Sequence, residues 1–432
     1  MHTSNFQIIV LGICTTLILV GIAVFASFGG LLGGKNIGKV VVWGTVDGLV
    51  MQNLLDNLRA EDKSLNNVTY VQKNRTTYEQ DLVNAMANGT APDLFMLEGE
   101  ELTTFTDKIS IIPYSAISQS TFLNTYIDEG QLFLTAKGAL AVPFTIDPLV
   151  MYWNRDLFAG AGVASAPTYW NDFLSLGPKI TALSSSAEVK KSAVALGEWR
   201  NIGNAKYILS TLFMQAGDSI TSRNNEGAVV VKLGTTPPGY PANPAESALR
   251  FYTEFANPSK TSYSWNRALP EASKAFVAGD LAAYMGFASE NANIANLNPN
   301  LRFSVAQLPQ IEGSGTRVTY GKITGLALPK TAHNPQGGLL VAQRLTTQNA
   351  SGFLSKSLSL PSVRRDVRLD TSSNAAADVF YQSALIARSW IQPEPTKTDA
   401  LFKSMIESVV SGQAQPAAAV SDASQQLQRL FR

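Results

Sequence analysis

The stretch KVVVWGT (39–45) is a β-branched run that ends at Gly44 and Thr45, and between 49 and 58 the apolar residues recur at the spacing of one helix face. VTYVQKN (68–74) repeats the extended pattern. Residues 78–87 repeat the helical one until Asn88 and Gly89 stop it, and APDLFMLEG (91–99) is a third apolar strand. Strand, helix, strand, helix, strand in that order predicts a parallel sheet covered by helices. Such a sheet binds ligands beyond the carboxyl ends of its strands, which here carry Thr45 and Asp47, then Glu98 and Glu100.

The same alternation recurs downstream. GALAVPFTIDPLVMYWNRDLF (138–158) reads as two extended pieces broken at Asp147-Pro148, and Pro167 with Thr168 reads as a helix start running through Trp170 and Phe173. Residues 193–196 form a short strand, 204–215 a helix ended by Gly217, and 245–255 and 269–278 further helices. Residues 282–287, 302–309 and 320–329 are expected strands, and helices over 336–345, 379–390, 401–411 and 417–431 close the chain. No repeat with a period of 20 to 50 residues appears in the sequence, which excludes a solenoid.

Residues 8–28, IIVLGICTTLILVGIAVFASF, carry no charge, and at about 1.5 Å rise per residue they match the roughly 30 Å hydrocarbon thickness of a bilayer. The preceding MHTSNFQ holds no Lys or Arg, unlike the basic start of a cleavable signal peptide, so an uncleaved N-terminal transmembrane helix is expected. Cys14 follows Leu11, Gly12 and Ile13, a faint lipobox in which Ile13 is too bulky. In the linker, Gly29, Gly34 and Lys35 match part of a phosphate-binding loop, but Asn36 replaces the magnesium-binding Ser or Thr and no buried strand precedes it.

Composition narrows the chemistry for the rest. The 432 residues carry 34 Lys and Arg against 33 Asp and Glu, a net charge of +1, which gives no footprint for nucleic acid. One cysteine and two histidines, His2 and His333, build neither a Cys/His zinc site nor a disulfide framework, so no metal and no cofactor are expected.

An ordered set of motifs carries a family resemblance: WGT near the start, GTAPDLFML (89–97), ALAVPFTIDPLVMYWNRDLFAGAGV (139–163), PTYWNDF (167–173), LSTLFMQAG (209–217), AFVAGDLAAYMG (275–286) and LPQIEGSGTRVTYGKITGLALPK (308–330). From Lys39 onward the chain resembles the bacterial extracellular solute-binding proteins of ABC importers, the sugar-binding branch similar to maltose-binding protein. The resemblance implies an α/β fold of two lobes, the type II periplasmic-binding-protein fold, each lobe a mostly parallel sheet flanked by helices. After the anchor and linker expected over 1–38 from the uncharged segment, it implies a first lobe from 39–145 plus 306–358 and a second from 146–305 plus 359–432. It also implies a monomer that holds a small-molecule ligand, a sugar or oligosaccharide, outside the cell membrane and delivers it to ABC permease subunits.

Carried over by position, Asp47, Glu98, Glu100 and Asp147 match residues that hydrogen-bond sugar hydroxyls in such proteins, and carboxylates are strong acceptors for hydroxyl donors. Each has a plainer reading: Asp47 as a helix N-cap, Glu98 and Glu100 as a solvated turn, Asp147 as the start of an Asp-Pro turn. Trp199 and Trp265 are the expected stacking aromatics, with Thr45, Phe144, Glu290 and Tyr320 as further ligand contacts. After AAYMGF, where relatives often carry a cleft tryptophan, this sequence reads Ala288, Ser289, Glu290, which points to a ligand smaller or more polar than a maltodextrin. Two other functions share these features. An anchored sensing or adhesion module needs the same closing cleft, and a retaining glycosidase needs two carboxylates about 5 Å apart, for which Glu98 and Glu100 are the nearest pair in sequence.

Overall fold

The computed structural model describes residues 37–431 apart from 225, 241 and 369–374. The apolar segment 8–28, Cys14 and the glycine-rich linker through Asn36 lie outside the described residues. Among the described residues no helix is long and apolar enough to cross a membrane.

β1 (Val40–Gly44), β2 (Val68–Gln72) and β3 (Leu94–Glu98) pair in parallel with β1 in the middle. Parallel neighbours need a crossover helix. α1 (Gly48–Glu61) supplies one with Met51, Leu54, Leu55 and Leu58 buried, and α2 (Tyr78–Ala87) the next with Tyr78, Leu82, Ala85 and Met86 buried. The alternating part of the sequence folds as its periodicity predicts.

The second half of the sheet is built on β4 (Val142–Asn154), a single strand of 13 residues. The expected break at Asp147-Pro148 is absent, because a proline φ is compatible with extended backbone and the proline holds the residue before it in the β region. The other strands are β5 (Ala182–Leu183), β6 (Val189–Val194), β7 (Leu281–Phe287), β8 (Phe303–Gln307), β9 (Thr319–Ala327) and β10 (Ala387–Arg388). The principal helices beyond α2 are α3 (Asp172–Ile180), α4 (Ala205–Gln215), α5 (Pro244–Glu254), α6 (Ala272–Ala278), α7 (Pro335–Leu345), α8 (Gln348–Leu358), α9 (Ala375–Leu385), α10 (Pro395–Val410) and α11 (Pro416–Leu430). Helix α3 starts later than Pro167, after the Asp172 carboxylate has accepted the backbone N–H groups of Thr168 and Tyr169. The helix expected over 379–390 ends at Leu385, and Ala387–Arg388 pairs with β9 instead.

Strand order is β2-β1-β3-β9-β4-β7-β6-β5, with β8 on β4 and β10 on β9. The sheet is mixed rather than mostly parallel, since β9 runs antiparallel to β3 and β4, and β4 runs antiparallel to β7 and β8.

Two hydrophobic cores flank these long strands. One gathers residues from Ile37 to Ile146 and from Ile323 to Leu354, and the other takes Leu149 to Leu308, then Val318 and Tyr320, then Leu401 to Leu427. The chain therefore changes core twice at one level, between Ile146 and Leu149 on β4 and between Tyr320 and Ile323 on β9. The paired residues at that level are Asp147 opposite Lys322 and Pro148 opposite Gly321. Residues 306–318, expected with the first lobe, pack with the second core because β8 lies along Val150–Asn154. After Leu358 the chain belongs to both, with Val363, Ala384 and Ala387 in the first core and Phe380 and Trp390 in the second.

Gly321 sits where this crossing is tightest. A Cβ there would lie 2.7 Å from the Ala387 Cβ and 2.9 Å from the Ile146 Cδ1. Gly321→Ala is expected to cost about 1 to 3 kcal/mol through overpacking, read as a lower urea midpoint at unchanged slope. An unchanged midpoint would show that the crossing has slack.

Candidate functional site

The crossing level opens into a cleft of about 280 Å³ that reaches the carboxyl ends of β1 and β3. Side chains alternate across a strand, so paired residues two apart on β4 and β9 share a face. Thr145 opposite Thr324 forms one row with Glu98 of β3, and Asp147 opposite Lys322 forms the next. All five line the cleft, together with Thr45, Asp47, Arg75, Glu100 and Ser289.

Each carboxylate has its own setting. Asp47 caps α1, accepting the N–H groups of Leu49 at 3.0 Å and Val50 at 3.1 Å, while remaining at the cleft edge. Glu98 meets the Arg75 guanidinium at 2.7 Å. Burial pushes its carboxyl above the usual range, and the nearby Glu100 adds to that against the pull of Arg75. Glu100, on the turn Gly99–Glu101, accepts the Tyr320 hydroxyl at 3.0 Å and the Tyr207 hydroxyl at 3.2 Å, with the Lys206 ammonium at 3.3 Å. Burial alone would raise Glu100, but Lys206, Lys322, the Gln392 side chain and the Tyr320 hydroxyl together hold it below the ordinary carboxylate value. Next to it, Glu101 is pushed up to about 8 by burial and by the acids Glu98, Glu79 and Glu100.

Lys206 and Tyr207 lie in the first turn of α4, in the second core's half, so the Glu100 cluster ties a turn of the first half to a helix of the second. Lys206 is almost fully buried and is completed by Asp399 of α10 at 2.6 Å. The Tyr207 ring lies 4.8 Å from Tyr320 and 5.1 Å from Phe287, centroid to centroid. Asp147 makes a second tie by accepting the Ser289 N–H at 3.0 Å from the turn after β7.

Lys322 takes a different environment. Its ammonium lies 4.0 Å from the Phe287 ring centre and 4.3 Å from that of Tyr207. Among the described residues no carboxylate lies within 4.0 Å of it and no hydrogen bond satisfies it. Burial lowers its pKa, opposed by Glu100, Asp147 and Glu98.

Several expected contacts fall elsewhere. Trp265 is buried in the second core with its indole N–H on the Asn201 side-chain oxygen at 3.0 Å, so it offers no stacking face. Phe144 is buried in the first core, on the face of β4 opposite Thr145. Trp199 is half-buried against the second core and does not line the cleft. Glu290 turns inward, accepting from the Tyr284 hydroxyl at 2.6 Å and the Phe287 N–H at 2.7 Å. Tyr320 is buried and serves the site through Glu100. Among the described residues the cleft lining contains no aromatic side chain.

Arg75, Lys206, Tyr207, Ser289, Lys322 and Thr324 went unread in the sequence. For Lys322 and Thr324 a signal exists: in TYGKITGLA the polar residues alternate along the strand with Gly321, Ile323 and Gly325. Lys206 lies in the first turn of a largely apolar helix, and nothing local marks it as buried beside an acid.

A two-lobed α/β fold with a polar cleft where two strands cross between lobes defines a solute-binding protein. The chain belongs to that family: residues 50–347 match the family model described as bacterial extracellular solute-binding protein. Among solved structures it is similar to a cyclo/maltodextrin-binding protein complexed with maltotetraose, with TM-score 0.72, 18% identity, and 90% of this chain and 96% of that one covered. It is similar also to the cyclic α-maltosyl-1,6-maltose binding protein of Arthrobacter globiformis, with TM-score 0.74, 17% identity, and 91% and 98% covered. A third is UgpB of Mycobacterium tuberculosis in complex with glycerophosphocholine, with TM-score 0.68, 16% identity, and 91% and 98% covered. No curated protein matches the chain by sequence. The family places the binding domain outside the cytoplasm.

Asp147 carries a pH signature. Burial pushes it from 3.8 to about 6, with the Ser289 side chain, the Ser289 N–H and Lys322 pulling the other way. A carboxyl that binds its proton more tightly folded than unfolded favours the fold below its unfolded pKa, and that contribution is lost as pH rises through about 6. Asp147→Asn, which keeps an acceptor for Ser289, is therefore expected to be about 1 to 2 kcal/mol more stable than the parent at pH 7.5, with the gain shrinking as pH falls toward about 4. Urea denaturation at both pH values reads this, and a gain independent of pH would remove burial as the cause.

Proposed function

We propose that this chain captures a sugar between its two lobes outside the cytoplasm and delivers it to the membrane subunits of an ABC importer. The carrying observation is the paired rows Thr145–Thr324–Glu98 and Asp147–Lys322, which array hydroxyls, carboxylates and an ammonium on one face where the chain passes between cores. Charged and hydroxyl groups on one face suit a ligand made of hydroxyls. The sugar-binding neighbours support the reading by their fold.

The lobes are best drawn from the cores: 37–146 with 322–358 as one, and 148–320 with 390–431 as the other, joined by β4, β9 and the segment between 359 and 389. Binding rather than catalysis fits the two glutamates, because Glu100 is engaged by Lys206, Tyr207 and Tyr320 and Glu98 by Arg75, which leaves no free pair to flank a glycosidic bond. In the same proposal the uncharged segment 8–28 anchors the chain as a single N-terminal span, and the chain works as a monomer.

A thermal-shift screen of the full-length chain against mono- and oligosaccharides, amino acids and polyamines tests the ligand class. A sugar at 100 times its dissociation constant is expected to add about 2.7 kcal/mol of stability. A rise with amino acids or polyamines and none with sugars would overturn the reading. The anchor is tested by intact mass of the native protein, expected to retain residues at or next to Met1. A mature N-terminus at Cys14 bearing lipid, or one between Ala26 and Lys39, would refute it.

A further inference from the structure

Most charged groups lining the cleft are already satisfied by the protein. Asp47 caps α1, Glu98 pairs with Arg75, and Glu100 takes Lys206 and two tyrosine hydroxyls. Two groups are left short. Asp147 is met only from Ser289, by its backbone N–H on Oδ1 and by its side chain, and Lys322 meets only ring faces among the described residues. They stand opposite each other in the β4–β9 register and line the same cleft, yet no ion pair within 4.0 Å joins them.

We infer that the cleft selects a neutral polyhydroxylated ligand of monosaccharide or disaccharide size, with a ligand hydroxyl bridging the Asp147 carboxylate and the Lys322 ammonium. The inference rests on the sugar-capture reading and names its substrate class. A carboxylate accepts only and an ammonium donates only, so a single group that satisfies both must donate and accept, which a hydroxyl does. A ligand carboxylate or phosphate would satisfy Lys322 and repel Asp147, while a ligand amine would do the reverse, and either mismatch is a device for rejecting charged analogues. The adjacent row, Thr324 and Thr145, adds two uncharged groups of the same dual character, which suits a run of ligand hydroxyls better than the two charge centres of a zwitterion. Size follows from the cleft, whose roughly 280 Å³ lies just below the range of about 300–1,000 Å³ usual for drug-sized ligands. The lining without an aromatic face removes the stacking platform on which a longer oligosaccharide would lie.

The test is calorimetry on the full-length chain, in a detergent without a sugar headgroup, against neutral hexoses and disaccharides, maltotetraose, glucuronate, glucosamine and glutamate. A neutral hexose or disaccharide is expected to bind, with glucuronate and glucosamine at least about tenfold weaker than glucose. Lys322→Met and Asp147→Asn are each expected to weaken the neutral ligand about 10- to 100-fold. The double variant should lose less than the product of the two, because both act on one bridging group. Thermal melts of each variant separate a lost contact from a lost fold. Glucuronate or glucosamine binding more tightly than glucose, maltotetraose binding more tightly than any disaccharide, or unchanged neutral affinity in Lys322→Met would overturn the inference and leave sugar capture standing. Glutamate binding with no sugar binding would overturn both.

Discussion

Everything in this molecule hangs on one antiparallel pairing, β4 against β9, at the level where Asp147 faces Lys322 and Pro148 faces Gly321. Both strands leave one hydrophobic core and enter the other at that level, so the two halves share a continuous sheet rather than a flexible tether. The geometry explains the local residue choices. Pro148 keeps Asp147 extended and fixes its own φ, while Gly321 clears room for Ala387 and Ile146 where β10 joins. Relative motion of the halves then falls on a few dihedrals next to the residues that line the cleft.

Burying so many charges beside that pairing needs compensation, since an unpaired ion in a poorly solvated site is costly. The Glu100 cluster supplies it with three donors from two elements: Lys206 and Tyr207 of α4, and Tyr320 of β9. Asp399 completes Lys206 from α10. Removing Lys206 would leave the buried Glu100 short of a compensating charge, and removing either tyrosine hydroxyl would leave it short of a hydrogen-bond donor. Glu101, one residue further, shows the contrast. With three acids as neighbours it is raised to about 8 and is mostly protonated at neutral pH.

How much of this was legible in the sequence follows the range over which each feature is determined. The β1-α1-β2-α2-β3 unit is written in periodicities of two and 3.6, and its strands and helices fall close to where those periods place them. The end-of-strand positions Thr45, Asp47, Glu98 and Glu100, and the crossover residue Asp147, do line the cleft, because position at a strand terminus or crossover is itself a local property. What failed was long-range. Asp-Pro reads as a turn locally, and the extended backbone that Pro148 also allows is drawn into one continuous strand by its pairing with β9. Trp265 sits in a loop by sequence, yet Asn201 draws its indole into the core. Phe144 could have been excluded by alternation once Thr145 and Asp147 were placed on the cleft face. Lys206 could not have been found at all, since its acid partners lie over 100 residues before it and nearly 200 after it.

Placing a ligand group at the crossing level has a mechanical consequence. A ligand shifts a conformational equilibrium only through its differential affinity for the two states. Asp147 is tied to the second half through the Ser289 N–H, and Lys322 rests on Tyr207 and Phe287, which both pack with the second core. Glu98 and Glu100, across the cleft, belong to the first half's strand end. A group held between Asp147 and Glu98 therefore touches one residue tied to the second half and one on the first half's strand end, whereas one bound at the Asp47 edge alone would touch a single half.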